Sequence, residues 1–442
     1  MPDQRPVNVN RAIALIALIV FVDFLGFSLV LPFLPVYARR FFGASGLITG
    51  AIISTFSVFQ LFAAPVLGQM SDRFGRRPVL LVTLLGSALG FLTLAAAQWV
   101  HNAVASTGQA ALATQLGVAL LFLARAINGA TGGNLPVAQA YLADITHDEQ
   151  RAHALGAVST AMVVALGIGP LLAGQMVQRN DFTMPALLAT ALSVGSAVLC
   201  WWLLPESRRP GGPTADSATE QREVAAVLDG DATPLTASES RLGNILPTLR
   251  RPEAGSLLMA WFLFILCFAM IAPMFPIIAT TNFGLGVRRI GYLFTMLAVL
   301  AVVWQVFILG RLTKRFNDRQ LAMMGLSAIT FCFVLAAFYG GGPLGRKGVP
   351  VLVVLTVIFG LGFAAARPAI TSALTKLGSQ TQAGVVMGVA QSLDSIAYAL
   401  GPVITGTLLD FTSLRVVGAV ATGFGLLATG LVWLGRDGRS GR

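Results

Sequence analysis

Along the chain, apolar residues gather into runs of about 20 separated by short polar stretches, and a run of that length crosses the ~30 Å of bilayer hydrocarbon as one helix. Twelve such runs lie near residues 12–36, 47–69, 78–98, 114–141, 153–177, 184–204, 255–279, 288–311, 320–340, 349–374, 385–409 and 415–434. The pattern predicts an all-α membrane protein with twelve transmembrane helices. Composition agrees: 55% of the 442 residues are hydrophobic and only 11% charged, where soluble domains carry about 25% charged residues. The first run is longer than the core of a secretory signal and is expected to remain as a span. Cys200, Cys267 and Cys332 fall inside runs, where they read as small packing residues and not as a disulfide framework.

A net charge of +11 would suit nucleic acid only if it were concentrated on a water-facing fold, and here the basic residues are scattered through short loops. No nucleic-acid partner is expected. With the N-terminus inside, 20 Lys and Arg lie on the inner side and 8 on the outer; Arg125 and Arg367, within runs, complete the 30. The excess predicts that both termini face the cytoplasm.

Between Pro205 and Pro252 the composition turns polar and acidic. That stretch divides the chain into a six-helix unit over 1–204, a cytoplasmic linker over 205–252 and a second six-helix unit over 253–442. The units also resemble each other. GQMSDRFGRR at 68 matches GRLTKRFNDR at 310, LPFLPVYARRFFG at 31 matches APMFPIIATTNFG at 272, and GPLLAG at 169 matches GPVITG at 401. The offsets of 242, 241 and 232 keep one order, which indicates a duplicated unit. Two similar bundles about a twofold axis along the membrane normal suit alternating access to a midplane cavity.

The stretch Gly68 to Leu81, GQMSDRFGRRPVLL, joins the second and third runs. Its arginines serve the orientation rule, but Gly68 and Gly75 permit tight turns and Asp72, Arg73 and Arg76 could form a breakable ionic latch. It resembles, nearly residue for residue, the loop signature of the major facilitator superfamily. Three further stretches resemble its twelve-span drug:proton antiporter branch, in particular the tetracycline exporters: DFLGFSLVLPFLP from Asp23, RAINGATGGNLPVAQAYLADI from Arg125, and GIGPLLAG from Gly167. The resemblance implies a latch of Asp72, Arg76 and Asp144, with Asp72 facing the start of span 11, and a kink at Gly169, Pro170 and Gly174. The second loop departs from it, with Lys314, Asn317 and Asp318 where the first has Asp72, Gly75 and Arg76. In span 5, Ala173 replaces one glycine of the signature, and span 3 carries Gly90 where tetracycline exporters have an aspartate.

Four charges lie well inside spans: Asp23, Arg125, Arg367 and Asp394. Such a charge costs at least ~2.5 kcal/mol and is normally paired or faces a cavity. At the helical rise, Arg367 and Asp394 lie about 13 and 16 Å from the inner loops, so a pair between spans 10 and 11 is feasible. A carboxylate in a low-dielectric cavity can exchange a proton near neutral pH. Asp394 is the first candidate for the proton site and Asp23 the second, with Arg125 implied by resemblance to influence proton release. Static packing or salt-bridge roles remain open for each. Phe27, Gln60, Asn128, Asn134, Trp304, Gln305, Gln391 and Tyr398 are candidates for lining a substrate cavity.

No phosphate loop or metal-ligand spacing occurs, so no cofactor and no enzyme chemistry are expected. The expected function is proton-driven efflux of a small amphipathic compound by a monomer in a bacterial inner membrane. The alternative is a proton symporter or uniporter for a sugar, lipid or peptide.

Overall fold

The computed structural model describes residues 9–177, 181–207, 252–271, 275–339, 348–376 and 380–434. The chain is helical, and among the described residues eleven helical runs are long and apolar enough to cross a membrane; the eighth expected span, interrupted as described below, makes the twelfth. In order, the helices are α1 (Val9–Val30), α2 (Leu34–Phe42), α3 (Gly46–Phe74), α4 (Arg76–Ala105), α5 (Ala110–Ala130), α6 (Asn134–Ile145), α7 (Asp148–Met176) and α8 (Thr183–Leu203). The second series is α9 (Pro252–Ile271), α10 (Phe275–Phe283), α11 (Val287–Val303), α12 (Leu309–Leu312), α13 (Asp318–Tyr339), α14 (Val349–Thr375), α15 (Gln380–Phe411) and α16 (Leu414–Leu434). Phe62, Trp202, Phe338, Leu426 and Leu427 are exposed, as side chains against lipid are. Most of the expected linker, 208–251, lies outside the described residues.

Among the described residues, three of the expected continuous spans are interrupted. In the first, Pro32 and Pro35 separate α1 from α2, which ends on Gly43 in the left-handed conformation, φ +64°. In the fourth, the consecutive glycines Gly132 and Gly133 break the run between α5 and α6, because they pay the largest entropy to stay helical. In the eighth, a π-helical turn at Trp304–Ile308 shifts the hydrogen-bond register between α11 and α12. Such insertions commonly mark functional sites.

The halves pack by one plan. In the first, α4 lies against α5 and α8, α1 against α7 and α8, and α3 against α5; in the second, α13 lies against α14 and α16, α9 against α15 and α16, and α11 against α14. Each contact has its counterpart in the other half, so the two six-helix bundles are pseudo-symmetric. They meet where α3 rests on α15 and α7 on α11.

Glycines make that meeting possible. A Cβ on Gly50 would overlap the carbonyl of Pro402, and one on Gly291 would overlap the carbonyl of Pro170. These two contacts are the same contact in each repeat, since 50 and 291 differ by the offset of 241. Gly46 likewise abuts Gly406, and Gly174 abuts Arg288. Toward the other end of the same helices, Gly68, Gly156, Gly310 and Gly388 face open space among the described residues. The apolar cores divide accordingly. One runs through both bundles, from Leu29 and Phe33 to Trp261 and Leu393. A separate one, around Ile16, Leu84, Tyr141 and Leu142, belongs to the first bundle alone. The bundles are therefore closed at the end bearing Gly46 and Asp410, here called the far side; the end bearing Val9 and Leu434 is the near side. A cavity of about 690 Å³ lined by His153, Gly156, Ala157, Thr160 and Ala161 lies along the near-side half of α7.

Candidate functional site

Two polar clusters lie within the spans, one in each bundle. In the first, Asp23 on α1 is buried and accepts a hydrogen bond from Asn134 Nδ2 at 2.8 Å. Asn134 stands at the start of α6, so the helix break at Gly132–Gly133 aims its amide across the bundle. Gln60 Nε2 donates to the Gly132 carbonyl at 2.9 Å, holding the break from α3. Arg125 is 1% exposed and its guanidinium lies 4.5 Å from the Phe56 ring centroid, a cation–π contact. Phe56 in turn meets Phe27 at 5.7 Å. Asn128, one turn beyond Arg125, is buried with neither amide atom hydrogen-bonded, and Arg125 Nε is also without a partner.

In the second cluster, Asp394 on α15 accepts a hydrogen bond from Trp261 Nε1 at 2.5 Å and lies 4.0 Å from the Arg367 guanidinium. The depth match between spans 10 and 11 thus corresponds to an ion pair. Trp261 on α9 was not foreseen; an indole N–H within an apolar span needs an acceptor, and that need was the available signal. Around it stand Phe264, Phe268, Phe359 and Phe363, with Phe268 and Phe363 at 4.3 Å. Tyr398 meets Phe268 edge-on at 6.2 Å. Gln391 is exposed, as is Gln305 on the π-turn. Trp304 carries a buried Nε1 without a partner. Neither π-turn residue joins either cluster.

The charged loop folds as an ionic knot around Arg76. Its Nη1 meets Asp72 at 2.7 Å and its Nε meets Asp144 at 2.9 Å, while Nη1 also donates to Ser71 Oγ at 2.6 Å. All four residues belong to the first bundle, and Arg73 lies over the Phe74 ring. The start of span 11 that Asp72 was expected to face has its side chains, 377–385, outside the described residues. Gly75 takes φ +101°, a conformation that favours glycine. Its missing Cβ makes room for Glu206, whose carboxylate accepts from the backbone N–H of Arg76 at 2.9 Å and of Arg77 at 3.2 Å. Glu206, in the LLPES that ends span 6, caps α4 as an anion at a helix N-terminus.

The second repeat holds the mirror of this knot with the charges exchanged. Asp318 stands where Arg76 does, at the offset of 242, and pairs with Lys376 at 2.5 Å. Lys376 stands where Asp144 does, at the offset of 232. The departure at Asp318 is thus a counterpart of the first loop's bridge with reversed polarity.

Gly169 and Pro170 sit inside the continuous helix α7. A Cβ on Gly169 would overlap the Ser28 side chain of α1, and Thr295 of the opposite bundle donates to the Gly167 carbonyl at 2.9 Å. With Gly174, these residues form the surface on which α11 closes. On the far side, Asp410 at the end of α15 accepts from the backbone N–H of Gly46 at 2.7 Å and of Leu47 at 2.8 Å. A carboxylate of one bundle therefore caps a helix of the other, again unforeseen.

The sequence pattern of the Major Facilitator Superfamily matches residues 16–268 and again 257–441. The chain is 27% identical to the tetracycline resistance protein, class C, of Escherichia coli, over 89% of each chain. It is 26% identical to multidrug resistance protein 2 of Bacillus subtilis (strain 168), covering 92% of this chain and 91% of that one. Among solved structures, the human organic anion transporter MFSD10 (TETRAN) shares the fold with TM-score 0.62 and 22% identity, over 97% of this chain and 100% of that one. The nucleoside transporter NupG shares it with TM-score 0.65 and 13% identity, over 97% and 99%. Doubled bundles, a glycine-packed seam and a sequence match over both repeats make the chain a member of the major facilitator superfamily, a multi-pass membrane transporter and not an enzyme.

Proposed function

We propose that the chain is a proton-coupled exporter that exchanges a small amphipathic compound for an incoming proton by alternating access. The observation that carries this reading is a carboxylate within the spans of each bundle, each accepting from a neutral donor: buried Asp23 from Asn134, and part-buried Asp394 from Trp261, with Arg367 at 4.0 Å. A carboxylate with such a partner has a tolerable state both with and without its proton, which a carrier of protons requires. The tetracycline and multidrug resistance proteins among the relatives support efflux of a compound foreign to the cell. The excess of basic residues on the near side supports a cytoplasmic near side, with both termini there, in a bacterial inner membrane. A state closed on the far side is then the one that loads substrate from the cytoplasm. Substrate and proton each favour a different bundle arrangement, and that difference in affinity drives the exchange.

Gradient-driven flux in proteoliposomes tests the reading, with tetracycline, ethidium and an aromatic acid as probes. An imposed pH gradient is expected to drive efflux of at least one probe, and Asp394→Asn and Asp23→Asn to abolish the response to the gradient. Flux that still follows the gradient in both variants would remove the proton assignment.

A further inference from the structure

Of the four charges within the spans, Arg367 is the most loosely held. Its side chain is 48% exposed and its Nη2 stands 4.0 Å from Asp394 Oδ2. Its guanidinium carbon lies 5.8 Å from the Phe363 ring centroid and 6.0 Å from that of Trp261. These distances are too long for a hydrogen bond and at the outer limit of a cation–π contact. Arg125, by contrast, is 1% exposed and 4.5 Å from its ring. Asp394 does not depend on Arg367 for a partner, because Trp261 Nε1 donates to its other oxygen at 2.5 Å. The arginine thus sits beside a carboxylate that it does not hydrogen-bond and rings that it barely reaches.

What surrounds that guanidinium is a seat for a cation. Phe363 stacks on Phe264 at 5.1 Å and meets Phe268 at 4.3 Å, Phe268 meets Tyr398 at 6.2 Å, and Phe264 meets Trp261 at 6.0 Å. The rings and the acid come from α9, α14 and α15, and α15 is the helix that meets α3 of the other bundle. Ring faces carry the negative side of their quadrupole, and Asp394 adds a full negative charge. Withdrawal is open to the arginine, whose long stem can carry its charge toward water while its methylenes stay on apolar surface. Resting on the exporter reading and narrowing its cargo, we propose that Arg367 is a tethered stand-in for the substrate: an amphipathic organic cation displaces its guanidinium and pairs with Asp394 among the Trp261, Phe268, Phe363 and Tyr398 rings. The seat needs no empty cavity, since the arginine's own charged end fills it. An anion meets Asp394 there, and a neutral compound gains no charge pairing by displacing the arginine. A proton on Asp394 removes the charge that holds the cation, so proton and cargo exclude each other, as exchange requires.

Equilibrium binding to the full-length protein in lipid nanodiscs, without a gradient, tests this. The probes are the quaternary cation (1-naphthylmethyl)trimethylammonium, its uncharged carbon isostere 1-neopentylnaphthalene, and 1-naphthoate. The cation is expected to bind more tightly than either. Arg367→Gln removes the competitor and is expected to tighten cation binding about 10-fold or more while leaving the isostere unchanged. Arg367→Lys keeps a tethered cation and is expected to stay within about 3-fold of the wild type. Asp394→Asn is expected to erase the preference for the cation over the isostere. In the unsubstituted protein, the cation is expected to speed modification of Arg367 by p-hydroxyphenylglyoxal severalfold, read by peptide mass spectrometry, because a displaced guanidinium is the more accessible one. Weaker or unchanged cation binding in Arg367→Gln overturns the proposal, as does a cation preference that survives Asp394→Asn. Unchanged or slower labelling of Arg367 overturns it too, and decides alone if Arg367→Gln does not fold. Tighter binding of naphthoate than of the cation also overturns it and assigns Arg367 to an anion. Cation binding with this Arg367 response but without pH-driven flux would remove the antiport reading and leave the seat standing. Proton-driven flux with no such response would do the reverse.

Discussion

Arg76 shows how much one side chain carries. Its Nε and Nη1 reach two different carboxylates and a hydroxyl, a fork that lysine lacks. Asp72 is nearly half exposed, so its share is screened, while the Asp144 contact is better sheltered. Arg76→Ala is expected to cost about 1–3 kcal/mol, read as a lower thermal midpoint in detergent, with Arg76→Lys in between. The residues of this knot were legible in the sequence because they are adjacent in one loop or end a neighbouring span. Trp261, Glu206 and Asp410 were not. Each serves a partner more than 100 positions away, and nothing in the local pattern of a tryptophan in an apolar run or an acid at a span end says which group it meets. The Arg367–Asp394 pair was within reach because depth in a membrane is a coordinate that hydropathy does supply.

At the scale of elements, the twelve crossings follow from apolar run length, and their contacts follow from small residues. What hydropathy does not encode is hydrogen-bond register, so the breaks at 31–33 and 131–133 and the π-turn at Trp304–Ile308 lay inside runs that read as continuous. The glycine pairs behind the closing seam were visible only as members of repeats. Gly50 and Gly291 admit the Pro402 and Pro170 carbonyls at distances no side chain allows. Gly50→Val or Gly291→Val is expected to hold α3 from α15, or α7 from α11, and to slow transport about 10-fold or more, the effect of roughly 1.4 kcal/mol in the closed state. Spin-label distances across the far ends of α3 and α15, or of α7 and α11, should lengthen in the matching variant; unchanged distances would show that the seam tolerates a side chain.

Over the whole molecule, the far side is shut by a carboxylate of one bundle on a helix N-terminus of the other. Asp410 holds α3 through two backbone donors, and opening the far side must break both. A charge at a partly buried helix end is worth up to about 2 kcal/mol. Asp410→Asn is therefore expected to raise the far-side-open population about 5–30-fold. A cysteine placed at Ser54, buried in α3, reports it: impermeant maleimide should modify the Asp410→Asn protein faster from the far side, and equal rates would assign the closure to packing alone.

The seam at Gly50 and Gly291 is made of main chain resting on main chain. Its fulcrum asks for two small residues and two carbonyls and for no particular side chain in the cavity beside it. The lining can consequently be rewritten, acid for amide or ring for aliphatic, without disturbing the rocking movement. Mechanics and cargo choice are written in different letters of the same helices.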